Sequence, residues 1–191
     1  MNRRTTIKSI LALGAVGVSG FSIFKWIDIN KAPDLKLLAS KKQLIAELAE
    51  TIIPRTDTPG AKDAKVEDYV MGVLQFCTEA REQNFFLDGL ADLEKYTTNN
   101  YNRSFIECSK SEKNVVMKHF EDKSTYSIAI LNKINNKFIG RSFFSKLKEL
   151  TIEGYCTSQI GATQGLVYDY VPGTFQACIP LKPNQRSWAT K

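Results

Sequence analysis

Apolar residues recur at three- and four-residue spacing through most of the chain, which is the pattern of helices that bury one face. No stretch shows the strict alternation of apolar and polar residues that is typical of half-buried strands. The sequence therefore predicts a mainly α fold, a small helical bundle of about five to six helices. The predicted helices cover about residues 41–53, 66–77, 86–96, 109–120, 126–139 and 142–152.

Local sequence features predict where two of these helices begin. Ser40 with Gln43 and Ser109 with Glu112 have the spacing of a capping box, in which the two side chains satisfy free amides at a helix start. Pro54 ends the first helix, because proline cannot continue the hydrogen-bond ladder.

The regions between the helices are more polar. Residues 55–65 form a loop with a Pro59-Gly60 turn, and Asp63 or a neighbour is expected to open the second helix. The third helix is expected to fray into the polar residues 97–102.

Changes in sequence character divide the chain into four parts. Residues 1–27 are a basic and apolar leader, residues 28–39 a linker, and residues 40–153 the helical domain. Residues 154–191 are predicted to form an irregular segment, because their glycines and prolines break helices. This segment also carries interleaved aromatic residues, namely Tyr155, Tyr168, Tyr170, Phe175 and Trp188.

Those aromatic rings must be buried somewhere, and two arrangements are open. The segment folds back along the helical body, or it lies against a second protein, where tyrosine and tryptophan serve well as anchors. In the second arrangement the candidate contact residues are Tyr155, Ile160, Tyr168, Tyr170 and Phe175.

The leader has the organisation of a targeting sequence. Arg3 and Arg4, followed by Lys8, resemble a twin-arginine export signal, and residues 9–24 are uncharged and mostly apolar. The alternative is an uncleaved membrane anchor, although this apolar run is shorter than the roughly 20 residues that span a bilayer. Both readings place the protein in the periplasm, and the second keeps it at the membrane.

The net charge of +6 belongs entirely to the N-terminal part of the chain. Residues 1–42 contain eight basic and two acidic residues, whereas basic and acidic residues are equal in number in residues 43–191. A neutral body with interspersed charges has no basic patch for a phosphate backbone, so nucleic acid is excluded as a partner.

The four cysteines, Cys77, Cys108, Cys156 and Cys178, are too far apart in sequence for a zinc or iron–sulfur motif. Cys77 lies on the apolar stripe of its helix and is expected to be buried. Cys156 and Cys178 flank the irregular segment, so a disulfide between them would close it in an oxidising compartment.

The single histidine, His119, limits the chemistry further. It is expected at the surface or at the core edge of its helix, beside Phe120. Asp57 and Asp63 share a loop, but two carboxylates alone are a weak indication of a metal site. The sequence therefore predicts no catalytic residue, no metal site and no cofactor bound by this chain.

Two stretches of the sequence are distinctive. The first is a helix that ends at Ile52-Ile53-Pro54, followed by the loop Thr56-Asp57-Thr58-Pro59-Gly60-Ala61. The second is the tract 154–164 (GYCTSQIGATQ), followed by Val171-Pro172-Gly173 and Cys178-Ile179-Pro180-Leu181. Together the two stretches resemble the gluconate 2-dehydrogenase subunit 3 family.

The resemblance implies a small, non-catalytic subunit of a periplasmic dehydrogenase. In that family the large partner is a glucose-methanol-choline flavoprotein that binds FAD, oxidises a sugar or sugar acid and commonly passes electrons to a cytochrome c subunit. The small subunit stabilises this partner and carries it through the export machinery. The alternative, from another class of protein, is a free-standing exported helical binding module without a flavoprotein partner.

Overall fold

The structure of the protein is a computed structural model that describes residues 31–124, 142–171, 173–174, 178, 180–181 and 183–189. The leader and the helix predicted over residues 126–139 lie outside the described residues.

The described residues are mainly α-helical, which confirms the predicted fold class. They contain no strand, and their single β-bridge joins Val167 to Trp188. The α-helices of these described ranges are α1 (Leu35–Ser40), α2 (Lys42–Ile52), α3 (Val66–Phe76), α4 (Ala80–Tyr101), α5 (Lys110–Ser124) and α6 (Phe143–Thr157). A 3₁₀ turn (Phe105–Glu107) precedes α5, and a π-helical turn (Gly161–Gly165) follows α6.

Helix α6 is the central element of the bundle, since it packs against α2, α3, α4 and α5. Its apolar face carries Phe144, Leu147 and Leu150 into the core, as the sequence pattern predicts. The other helices bring their own apolar stripes to the same core, whose largest fully buried side chains include Ile45, Leu48, Val66, Val70, Leu74, Phe86, Leu90, Leu93, Phe105 and Val116.

The start of the body differs from the prediction. Part of the presumed linker is helical, because Asp34 caps α1 by accepting a hydrogen bond from the Leu37 amide, and Leu38 is buried. Ser40 belongs to this helix and donates its hydroxyl to the Leu37 carbonyl. The predicted capping box of Ser40 and Gln43 is therefore wrong, and α2 begins without a side-chain cap.

Helix α3 also begins without the predicted cap. Residue Lys65, at φ 52°, precedes its first turn and makes no capping hydrogen bond through its side chain. Asp63 instead accepts a hydrogen bond from the Gly60 amide inside the loop. At the other end, Cys77 lies just beyond the last turn and is exposed, which corrects its predicted burial.

Helix α4 continues through the region that was expected to fray. Thr97 is fully buried, because its hydroxyl donates to the Leu93 carbonyl and so leaves no polar group unsatisfied. The helix ends at Asn102, whose left-handed conformation is one that asparagine tolerates better than most residues.

The capping box before α5 is confirmed. The Glu112 carboxylate accepts hydrogen bonds from the Ser109 amide and hydroxyl, and the Glu112 amide lies 3.4 Å from the Ser109 hydroxyl. These bonds hold the pKa of Glu112 below its ordinary value. Val115, one residue before the buried Val116, is exposed.

Helix α6 extends beyond Ile152, and this overturns the expectation that Gly154 ends the helical body. Gly154 is buried within the helix, where an added Cβ would lie 2.7 Å from the ring of Tyr69. Glycine permits the close approach of α3 to α6 here. The Tyr69 phenol also bonds Glu153, and burial together with this bond raises the pKa of the phenol.

A second close approach gives a test of the packing. An alanine Cβ at Gly89 in α4 would lie 2.3 Å from the ring of Phe143, so Gly89→Ala forces Phe143 away from Phe86. We expect a loss of about 1–3 kcal/mol in the free energy of unfolding, measured by urea denaturation. Gly72→Ala in α3 is the matched control, because nothing lies near its added methyl group and helix propensity favours alanine by up to about 1 kcal/mol. Equal effects of the two substitutions would contradict the close packing of α4 on Phe143.

Candidate partner interface

The two stretches that carry the family resemblance meet at Tyr155. The phenol of Tyr155 donates a 2.7 Å hydrogen bond to the carbonyl oxygen of Pro59, in the loop after α2. The side chain is only 6% exposed, and burial raises the pKa of its phenol. Tyr155 is thus part of the core of its own chain, which corrects its assignment as a partner contact.

The loop that receives this hydrogen bond is held by Glu50 of α2. The Glu50 carboxylate accepts hydrogen bonds from the amides of Arg55 and Lys62, both at 2.9 Å. A Cβ at Gly60 would lie 2.5 Å from this carboxylate, so glycine is required for the loop to pass over it. One carboxylate therefore fixes both sides of the loop.

The π-helical turn closes around the other side of Tyr155. A Cβ at Gly161 would lie 1.9 Å from the Tyr155 carbonyl oxygen, and a Cβ at Gly165 would lie 2.3 Å from the Tyr155 phenol oxygen. Ser158 supports the start of the turn, since its hydroxyl accepts a hydrogen bond from the Gly161 amide. Ile160, a candidate contact residue, precedes the turn and is half-buried.

After the π-helical turn the chain leaves the body. We call residues 166–189 the arm, and its structure is described for residues 166–171, 173–174, 178, 180–181 and 183–189. The two ends of the arm are joined, because the Val167 amide donates to the Ser187 carbonyl and the Ala189 amide donates to the Val167 carbonyl. The Arg186 guanidinium adds a 2.6 Å hydrogen bond to the Gln164 carbonyl. The arm is therefore a loop that is closed at its base.

The arm carries half of the exposed large apolar side chains found in the described part of the chain. Tyr170 is 86% exposed and Leu181 83% exposed, and Tyr168, Val171 and Trp188 are also exposed. Exposed apolar groups of this kind, gathered in one segment, are typical of a protein-binding surface. Phe175, the remaining candidate contact, lies outside the described residues.

All four cysteines lie in described parts of the chain, and all four are free thiols. Cys156 is half-buried at the end of α6, whereas Cys178 is exposed on the arm. Burial raises the pKa of the Cys108 thiol, so this cysteine is held in its unreactive protonated form. The pairing of Cys156 with Cys178 stays a prediction.

His119 lies at the core edge, as one of the two sequence-based alternatives held. Its ring stacks on Tyr96 at a centroid distance of 4.1 Å and contacts Phe120 edge to face. Its Nε2 atom is buried and has no hydrogen-bond partner among the described residues. The ring is thus held by packing against two aromatic side chains.

A cleft of about 280 Å³ lies between α2 and the first turns of α5. Glu47 lies at its wall, where its carboxylate bonds both Lys62 and Lys113. Glu50, which also lines the cleft, is occupied by the loop amides. Both acidic side chains that line the cleft therefore already form hydrogen bonds within the fold.

Searches of the described residues for metal ligands and for membrane spans gave negative results. No group of three or more His, Cys, Asp or Glu side chains within them is arranged to hold a metal ion. None of the helices in these ranges is both long and apolar enough to cross a membrane.

Comparison with known proteins defines the class of this protein. The family model for gluconate 2-dehydrogenase subunit 3 matches residues 39–173, which include the first stretch and the second stretch as far as Gly173. The chain belongs to the gluconate 2-dehydrogenase subunit 3 family. Comparisons with curated proteins and with solved structures found no match.

The Glu47 cluster gives a prediction for stability against pH. Partial burial raises the pKa of Glu47, but the hydrogen bonds from Lys62 and Lys113 outweigh this, so its pKa lies below the ordinary value of 4.5. A lowered carboxylate pKa adds stability that is present above the unfolded pKa and is lost as the pH falls through the folded pKa. Glu47→Gln is therefore expected to cost about 1–2 kcal/mol at pH 7 and much less at pH 3.

Urea denaturation of the two proteins at both pH values measures this difference. Asp92→Asn, at an exposed position on α4, is the control and is expected to change little at either pH. A loss of stability in Glu47→Gln that is as large at pH 3 as at pH 7 would show that the ionised carboxylate contributes nothing.

Proposed function

We propose that this protein is the non-catalytic small subunit of a periplasmic flavoprotein dehydrogenase of the glucose-methanol-choline type. It stabilises the large catalytic subunit, which holds the FAD, and carries it through the export machinery. The observation that carries the proposal is membership of a family of dehydrogenase subunits over residues 39–173. That stretch begins in α1 and reaches into the arm.

The distribution of apolar surface supports a binding role. The helical body buries most of its apolar stripes and its exposed apolar residues are scattered, whereas the arm leaves Tyr168, Tyr170 and Val171 exposed in nearly consecutive positions. Among the 24 residues of the arm only Asp169, Lys182 and Arg186 are charged. Tyrosine is enriched in interfaces and charge is depleted at their centres, so the arm has the composition of an interface core.

The proposed complex also includes partners at the membrane. A cytochrome c subunit would accept the electrons of the flavin, and residues 1–27 would keep the small subunit at the membrane where they are not cleaved. In either case the chemistry of substrate oxidation belongs to the large subunit. The role of this chain is to bind the large subunit, cover part of its surface and deliver it to the periplasm.

Export as a folded complex agrees with the packing of the body. The twin-arginine route carries proteins that are already folded, and the core of α2 to α6 is closed by packing and hydrogen bonds without any disulfide. A disulfide that forms in the periplasm would then close on a fold that is already complete.

One observation favours the alternative, a free-standing exported binding module. Tyr155 and the π-helical turn pack on the body of the same chain, as that alternative predicts for the C-terminal segment. The arm after Leu166 does not follow this pattern, because Tyr168, Tyr170, Leu181 and Trp188 are exposed among its described residues. This difference along the segment favours the subunit over the free-standing module.

The direct test is affinity purification of the full chain from membrane and periplasmic extracts of its native host. We expect an equimolar partner of the size of a glucose-methanol-choline flavoprotein, together with the absorbance spectrum of bound flavin. A colourless eluate that contains this chain alone would overturn the proposal in favour of the free-standing module.

Substitutions in the arm test where the partner binds. Replacing Tyr168, Tyr170 and Val171 together by alanine removes one apolar contact and two tyrosines, a residue type that is enriched among the anchors whose loss costs more than about 1 kcal/mol. We expect at least tenfold less flavoprotein retained by the purified small subunit, with helical content unchanged by circular dichroism.

The matched control replaces Val115 and Ile152 by alanine, since both are exposed apolar residues of the helical body. This control is expected to retain the partner. Retention of the flavoprotein by the arm variant at the level of the control would show that the arm is not the docking surface.

The export role has its own test. Replacing Arg3 and Arg4 by lysine keeps the charge of the leader but removes the arginine pair of a twin-arginine signal. We expect the flavoprotein to remain in the cytoplasm with its small subunit, measured by dye-linked dehydrogenase activity in separated cell fractions. Lys8→Arg is the control and should export normally. Unchanged periplasmic activity in the double variant would assign export to another route.

A further inference from the structure

The hydrogen bond from Tyr155 to Pro59, together with the contacts of Gly161 and Gly165 on Tyr155, forms what we call the Tyr155 latch. We propose that the Tyr155 latch is a positioning device that presents the arm to the catalytic subunit as a preformed loop. This inference rests on the proposed function and assigns Tyr155 a positioning role rather than a direct contact.

Tyr155 is fixed at both ends. Its backbone lies in the last turns of α6, and its phenol bonds the loop that Glu50 anchors to α2. The side chain therefore reaches from the central helix α6 to the loop after α2. A group held in this way has almost no freedom to move without disturbing either the helix or the loop.

The π-helical turn takes its position from Tyr155. Gly161 lies against the Tyr155 carbonyl and Gly165 lies against the Tyr155 phenol, so both ends of the turn contact the same residue. The turn is closed by a 2.8 Å hydrogen bond from the Leu166 amide to the Gly161 carbonyl. The direction in which the chain leaves the body is thereby set.

Both ends of the arm are attached to the π-helical turn or to the residues just after it. The Arg186 guanidinium bonds the Gln164 carbonyl within the turn, and Val167, just after it, bonds both Ser187 and Ala189. The exposed Tyr168, Tyr170 and Leu181 lie between these attachment points. A continuous set of contacts thus runs from Pro59 through Tyr155 and the turn to the base of the arm.

The consequence concerns the partner. A segment that is ordered before binding does not pay the cost of ordering when it docks, so a closed loop binds more tightly than a free tail of the same composition. Arg186 is committed to the base, and the sequence of the arm contains only two other charged residues, Asp169 and Lys182. The matching surface of the catalytic subunit is accordingly an apolar groove with little charge.

The experiment compares two glycine substitutions in the full chain. In Gly165→Ala the new methyl group meets the Tyr155 phenol oxygen at 2.3 Å, whereas in Gly173→Ala, within the arm, nothing lies within 4 Å of it. Tyr155→Phe is the third variant and removes only the hydroxyl that bonds Pro59. Hydrogen exchange of the free subunit is measured at Val167 and Ala189, with Leu48 in the body as the internal reference. Flavoprotein retention is measured separately.

We expect Gly165→Ala and Tyr155→Phe to exchange at Val167 and Ala189 at least about fivefold faster, the factor that corresponds to one typical hydrogen bond. Exchange at Leu48 is expected to stay unchanged, and flavoprotein retention is expected to fall about fivefold or more. Gly173→Ala should match the wild type in both measurements.

Each other result overturns the inference. Unchanged exchange at Val167 in Tyr155→Phe would show that the latch does not hold the arm. Faster exchange with full flavoprotein retention would show that the position of the arm is irrelevant to docking. A wild-type protein that retains no flavoprotein would refute the proposed function itself, and with it the role of the latch in docking.

Discussion

The hydrogen bond between Tyr155 and the Pro59 carbonyl is the contact around which the end of α6 and the π-helical turn after it are packed. It joins the end of the central helix to the loop after α2, across 96 positions of sequence. A buried phenol without a partner would cost on the order of 1–3 kcal/mol, so the loop must hold its carbonyl in place for α6 to bury this ring. The loop in turn is held by Glu50, which binds amides on both of its sides, and by Asp63, which binds the Gly60 amide within it.

This constraint explains why glycines cluster around the ring. Gly60, Gly161 and Gly165 are each at positions where a Cβ would overlap the Glu50 carboxylate or Tyr155 itself. Gly154, the residue before Tyr155, is required for a similar reason, because a Cβ at this position would overlap the ring of Tyr69. Glycine lowers intrinsic helix stability, and at Gly154 it permits the close packing of Tyr69 of α3 on α6. The glycines that suggested an irregular segment are therefore packing residues at its start.

This is also where prediction from the sequence succeeds and fails. Periodicity located helices α2, α3, α5 and α6, since their stripes of apolar residues carry the information locally. It did not anticipate that Thr97 would be buried or that α6 would pass through Gly154, because both depend on contacts with distant residues. The cap at Ser40 failed for a related reason: α1 uses that serine for its own last turn. For the interface, exposure of Tyr168 and Tyr170 agrees with the sequence analysis, but burial of Tyr155 required knowledge of the loop across from it.

The same packing gives a physical reason for the division of the C-terminal segment into two parts. Up to Gly165 the segment completes the core of its own chain, and beyond Leu166 the exposed side chains lack any apolar surface of the body to cover them. Tyr170 and Leu181 would lose water from large apolar surfaces on binding, and burial of such surfaces is the main driving force of protein association. The body therefore buries its own apolar core, whereas the arm keeps apolar surface that binding to a partner would bury. This agrees with membership of a family of dehydrogenase subunits.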